Sequence, residues 1–545
     1  MKYRISSFAA TLVVLAALPV LAVAAQQPST DLGDIDFPNS GAPEAQDHFL
    51  RGIAALHNFW FEEAADEFGL AQEADPEFAL AYWGEAMSHN HPLWAEQDIA
   101  AARQVMRRLG ATRTERMEKA PTEREKMYME ALEVLYGEGD KLERDIAYEK
   151  AMGRIHARFP EDREAATFHA LSILGTVRRG DQGFFRQMRA GAIALDLFAR
   201  YPNHPGAAHF VIHSFDDPEH APLALPAAEK YAEIAPESSH ALHMPSHIFV
   251  QHGMWDRVAQ SNLAAFRASE KWVSKKNLSI AKKDWHAHEW RAYANAQRGV
   301  WNEISEAIDE VTAAAKETGD ARLAWYRDIM EARYLLAMGK DDGRPLPEVS
   351  ADEGGRYDAR ADMLLALGLG SGKAKNAERT EEAAKRVGKL AKMAEEKDNA
   401  YQANYVSIMM HELQGSAAMA RGNTEEALKH LAKAAELEEK QDPPSGPAGP
   451  IKPSHELYGE FLVKAGKYDE AIEVLNTSLQ RTPNRTASLL ALARAAAKSG
   501  KMDLASETYG KLRTVLKDAN ESVPYLEEVR SFGAATDADA VAPPN

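Results

Sequence analysis

Tyr201-Pro202-Asn203-His204-Pro205-Gly206-Ala207-Ala208-His209-Phe210-Val211-Ile212-His213 is followed, 34 residues on, by Ala235-Pro236-Glu237-Ser238-Ser239-His240-Ala241-Leu242-His243-Met244-Pro245-Ser246-His247. Aligned on Pro202 and Pro236, the segments place His209 over His243 and His213 over His247. Each pair is spaced i,i+4, so both imidazoles of a pair leave one face of a helix. A period of this length marks stacked supersecondary units. The same phase recurs elsewhere in Gly52, Ala64, Phe68, Ala71 and Pro76, in Gly415, Ala427, Leu431 and Ala434, in Gly459, Ala471, Leu475 and Pro483, and in Ala493, Ala505, Tyr509 and Leu512. Small residues let two antiparallel helices approach, bulky ones fill the gap, and proline stops the second helix.

On these positions the chain resembles tetratricopeptide-repeat proteins over most of residues 44–520. The resemblance implies an all-α, right-handed tetratricopeptide-repeat solenoid of about ten to twelve helix pairs. It also implies that the first helix of each unit lines a concave face that binds a protein or peptide partner. Counted from three residues after each proline, His209, His213, His243 and His247 take positions that in this family commonly face the groove. The block is also similar to one in exported bacterial repeat proteins with a His-Met-Pro-Ser-His-type segment, a resemblance that implies no reaction.

The chain has 545 residues, 64 basic and 82 acidic, for a formal charge of −18. That balance argues against nucleic acid as a partner, which needs a basic face. Apolar residues make up 45% of the chain, enough for a sizeable core. There is no cysteine, which excludes disulfides, thiolate metal sites and thiol catalysis. Residues 1–25 read as a secretory signal: Lys2 and Arg4, an uncharged run from Phe8 to Ala22, then a small-residue cleavage site at Ala22-Val23-Ala24 or Val23-Ala24-Ala25. An uncleaved anchor is the alternative. The mature chain is thus expected to be exported, periplasmic in a bacterium, with no stable membrane insertion and a partner in the cell envelope. The remaining organisation is read as a linker at 26–43, an N-terminal array at 44–338 with its His-rich block at 204–252, and a second linker at 339–355. A C-terminal array at 356–525 and a flexible tail at 526–545 follow, with a Pro-rich insertion from Gln441 to Pro453.

Two neighbouring helices roughly 10 Å apart would aim His209, His213, His243 and His247 into one patch, with His240 and Asp216 on or near the same face. The segment Trp285-His286-Ala287-His288-Glu289 approaches if the next helix follows closely. Neutral imidazoles with carboxylate support suit Zn, Cu, Ni or Fe, and Met244 would add a soft ligand for Cu(I). Asp216 or Glu289 could then act as a base on a bound water. Two other readings stand beside the metal centre: a groove for an organic or peptide ligand, and histidines that only hydrogen-bond one another. Pro245 either starts a helix near Met244 or kinks one there. Tyr82, Trp83, Met87 and Trp94 form a candidate partner groove, with ordinary core packing as the alternative. His411-Glu412 lacks a second histidine, and no nucleophile elbow, phosphate loop or dinucleotide fingerprint occurs. The sequence therefore supports an exported scaffold first, and a metalloprotein or metal-dependent enzyme as its alternative.

Overall fold

The computed structural model describes residues 31–178, 183–350 and 357–533. The signal reading at 1–25 lies outside these residues. The described chain is an all-α solenoid of antiparallel helix pairs, from Gln46–His57 against Phe61–Ala74 to Thr486–Lys498 against Met502–Val515. The repeated small positions are the points of closest approach. A Cβ on Gly52 would stand 2.8 Å from the Phe68 ring, and one on Gly84 2.3 Å, so three helices meet across one phenylalanine. Gly459 lies likewise against Leu475 and Gly415 against Leu431, at 2.4 and 2.8 Å. Between paired helices, Gly466 and Gly500 turn the chain at φ of +76° and +77°, a conformation L side chains resist.

Among the described residues the extended structure is one antiparallel pair, Asn90–His91 with Glu96–Gln97, in register Asn90↔Gln97 and His91↔Glu96. No helix of the described residues is long and apolar enough to cross a membrane.

The segment 26–43 is not a loose linker where it is described. Leu32, Ile35 and Phe37 are buried, and the Phe37 ring lies 5.3 Å from Phe49 and 5.8 Å from Trp83. Hydrocarbon in a polar leader is enough to pin it once a groove accepts it. The predicted tail also begins with structure. Leu526–Ser531 is helical, with Leu526 and Val529 buried and Glu528 bridged to Arg494.

Residues 339–350 carry no helix, but the arrays on either side meet again. Thr486 Oγ donates to the Gln297 carbonyl at 2.6 Å, and the Asn520 amide to the Gly299 carbonyl at 2.9 Å. Phe266, Trp285, Trp301 and Ile304 share one apolar cluster with Leu490, Tyr509, Leu512 and Leu516. The solenoid from about residue 251 onward therefore closes on itself.

Candidate metal centre

His209 and His213 stand on helix Pro205–Ser214, which starts at His204 as its cap. His240 and His243 stand on Ser239–His243, and His247 on Pro245–Gln251. Pro245 splits what would be one helix. Met244 stays helical at φ −55°, ψ −35°, and its amide bonds to the His240 carbonyl, so the kink keeps the rings on one side. His286 comes from Trp285–Arg298, capped by Asp284 and reached after the intervening helix Trp255–Lys276.

The four in-phase histidines meet, as parts of two triads. His209, His213 and His240 form one; His243, His247 and His286 form the other. Within each, one ring nitrogen per residue lies within 4.8 Å of the others. The triads adjoin, with ring centroids 6.0 Å apart for His213 and His247 and 6.2 Å for His240 and His243. A zinc bond of 2.0–2.1 Å in tetrahedral geometry separates its nitrogens by about 3.3 Å, so small side-chain rotations close either set.

The hydrogen bonds fix the tautomers. His209 Nδ1 donates to the His57 carbonyl at 2.6 Å. His243 Nδ1 donates to Asn262 Oδ1 at 2.6 Å, and the Asn262 amide is oriented by its own bond to the Val258 carbonyl. His247 Nδ1 donates to Asp216 Oδ2 at 2.6 Å. With the proton on Nδ1, each Nε2 presents a lone pair. Yet Nε2 of His243 and Nε2 of His247 face each other at 3.1 Å. Two lone pairs so placed repel unless a cation lies between them. A metal ion or a proton relieves that repulsion, and burial, which pushes the pKa of His243 down to about 3, disfavours the proton on that ring. Burial also pushes His209 down to about 3 and holds His213 and His240 well below the ordinary range. In the first triad the His209 lone pair faces His240 Nε2 at 3.1 Å, and His213 Nε2 is buried without a partner.

Outer contacts hold the rings. Phe59, in the left-handed region at φ +52°, sets its ring 4.4 Å from His209 and 5.4 Å from His240. Trp290 covers His247 at 4.4 Å. The Pro-rich insertion lies over this wall: Gly446 packs on Trp290, and the Pro444 carbonyl accepts from Gln251. His286 is exposed, leaving the second triad open on one side. Beside the first triad lies a pocket of about 600 Å3, lined by Phe59, Trp60, Phe61, His91, His240 and Trp272.

A third cluster has opposite logic. His57 Nε2 and His204 Nε2 donate to Glu164 at 2.7 and 3.0 Å, all three being buried. His204 Nδ1 accepts from the Ala207 amide, which puts its proton on Nε2. Protons already fill the shared space, so this network is structural.

Other sequence expectations fare differently. Asp216 supports His247 from behind the ring, with burial raising its pKa against that bond. Glu289 is paired with Arg333 and is not free to act as a base. Met244 is fully buried in an apolar cluster, so it stands as core packing. The partner groove is not a surface: Trp83 is 0% exposed among Phe37, Tyr128 and Phe168, and Tyr82 and Met87 are buried too. Aromatic positions at helical spacing went to the core, as hydrocarbon area favours. Trp94 alone stays out, 51% exposed, 6.3 Å from the His240 ring.

Sequence reasoning left His286 outside the chosen set and missed Phe59, Asn262 and the His57 carbonyl. A histidine two residues after the capping Asp284 was the one available signal.

The tetratricopeptide-repeat family model matches residues 462–522, which identifies this part of the solenoid as tetratricopeptide repeats. Such repeats serve as protein-interaction scaffolds. No curated protein matches the sequence. Among solved structures, the chain is similar to the human IFIT1 dimer with m7Gppp-AAAA at 14% identity, covering 88% of this chain and 91% of that one, TM-score 0.32. It is also similar to yeast Tom70 at 12% identity, covering 91% and 96%, TM-score 0.30. Likeness at this level says nothing of this chain's ligand.

Proposed function

We propose that this chain is an exported metalloprotein in which a tetratricopeptide-repeat scaffold holds transition-metal ions, one at each histidine triad. The opposed Nε2 lone pairs of His243 and His247 carry the reading. Imidazole-only sets suit Zn or Cu, and the carbonyl, amide and carboxylate behind three of the rings are the usual devices that orient metal-binding histidines. A ligand set without cysteine also survives an oxidising compartment unchanged. The open side at His286 leaves a position for water or substrate. The neighbouring aromatic pocket is of a size that takes small organic ligands.

A second reading, a peptide partner in the envelope, is favoured by the exposed Trp94 beside that pocket. Elemental analysis of full-length protein purified without chelators separates the two. The metal reading expects about two equivalents of Zn or Cu per chain, one for each triad. Less than about a tenth of an equivalent, with no shift in melting on adding Zn or Cu, leaves the scaffold alone.

A further inference from the structure

The closed part of the solenoid encloses a second cavity of about 710 Å3, lined by none of the triad histidines. Its wall carries more cations than carboxylates in a chain whose net charge is −18. Most of these cations are already paired. Lys452 contacts Glu456 at 2.8 Å and Glu460 at 2.7 Å. Arg485 donates to Glu456 at 2.8 Å and to the Tyr293 hydroxyl at 3.0 Å. Arg494 is bridged to Glu528, and Arg333 to Glu289. The two carboxylates of the wall, Glu456 and Glu460, are thereby engaged.

Lys373 and Lys464 also line the cavity, with no described hydrogen bond or ion pair. Lys464 lies over the Phe461 ring at 4.5 Å, and the Lys373 ammonium sits beside Gly339, where a Cβ would stand 2.6 Å from it. Desolvation lowers the pKa of both, and the Glu460 carboxylate, already bonded to Lys452, offsets this only in part. Much of the remaining wall is hydrocarbon, including Leu336, Leu369, Met419, Leu457 and Leu490. Both lysines keep a solvent-exposed face, and a concave wall in which cations outnumber carboxylates raises the local concentration of anions.

We propose that this cavity binds a long-chain organic anion, its charged head at Lys373 and Lys464 and its hydrocarbon body along the leucine-rich wall. An ammonium is a point charge and does not select between carboxylate and phosphate heads. The test is calorimetric titration of the full chain, below micellar concentration, with dodecanoate, dodecyl phosphate, dodecyltrimethylammonium and butanoate. The expected result is binding of at least one long-chain anion, with the better head telling a fatty acid from a phospholipid-like ligand. The long-chain cation and butanoate should bind at least tenfold more weakly. Lys373→Gln/Lys464→Gln should weaken the long-chain anion at least tenfold while metal content stays unchanged. Equal binding of the long-chain cation or of butanoate, no binding of either long-chain anion, or full affinity in the double variant overturns the proposal. If that variant fails to fold, the ligand series on the unaltered protein decides.

Discussion

His247→Ala, purified without chelators, is expected to lose the metal of its triad while keeping the fold. The side chain is about 14% exposed, packs on Trp290 and donates to Asp216, so truncation, which strands that carboxylate, costs the apo protein on the order of 2–3 kcal/mol. Part of that is returned, because removing the ring also removes the lone pair that opposes His243 at 3.1 Å. The bound form behaves differently. With metal at a hundredfold excess over Kd, an ion stabilises the unaltered protein by about 2.7 kcal/mol, and the share due to this triad vanishes in the variant. Melting with and without added Zn, beside metal content, reads both effects. A histidine with a purely structural role gives the apo loss but no change in the metal-dependent shift.

The second large effect is on Glu164. Both its oxygens are used by buried imidazole donors, at 2.7 Å from His57 and 3.0 Å from His204. Glu164→Ala leaves two buried N–H groups unsatisfied, each costing about 1–3 kcal/mol, so a loss of roughly 3–5 kcal/mol is expected at neutral pH. Burial by itself raises the Glu164 pKa, but the charge and hydrogen bonds of His204 and His57 outweigh it and hold the carboxylate well below its usual range. A carboxyl depressed in the folded state stabilises above its unfolded pKa, and that stability is lost as pH falls. The gap between the unaltered protein and the variant should therefore be widest near pH 7 and narrow below about pH 4. Urea unfolding at the two pH values measures it, and a gap under about 1 kcal/mol at pH 7 contradicts the network. The variant also loosens His57, whose carbonyl orients His209.

The fold was legible because tetratricopeptide packing is local. Gly52 and Phe68, or Gly459 and Leu475, touch across one hairpin, so the contact repeats as a sequence interval. The in-phase histidines were legible for the same reason: one register on neighbouring helices puts them on one side. What stayed hidden depends on distant chain segments. The His57 carbonyl reaches His209 across 152 positions, and Gln251 meets Pro444 across 193. No periodicity reports such contacts. The partition into two triads also could not be read, because it depends on the kink at Pro245 and on the angle at which the Trp285–Arg298 helix follows. Trp83 shows the opposite failure: position in the repeat suggested a groove, while Phe37, from the leader, covers it.

X-ray absorption at the metal edge of the loaded full-length protein tests the central claim most directly. The account predicts a first shell of nitrogen at about 2.0–2.1 Å for Zn, with the outer-shell scattering of three imidazoles per ion. A shell of oxygen alone, or metal that leaves on desalting, would contradict it.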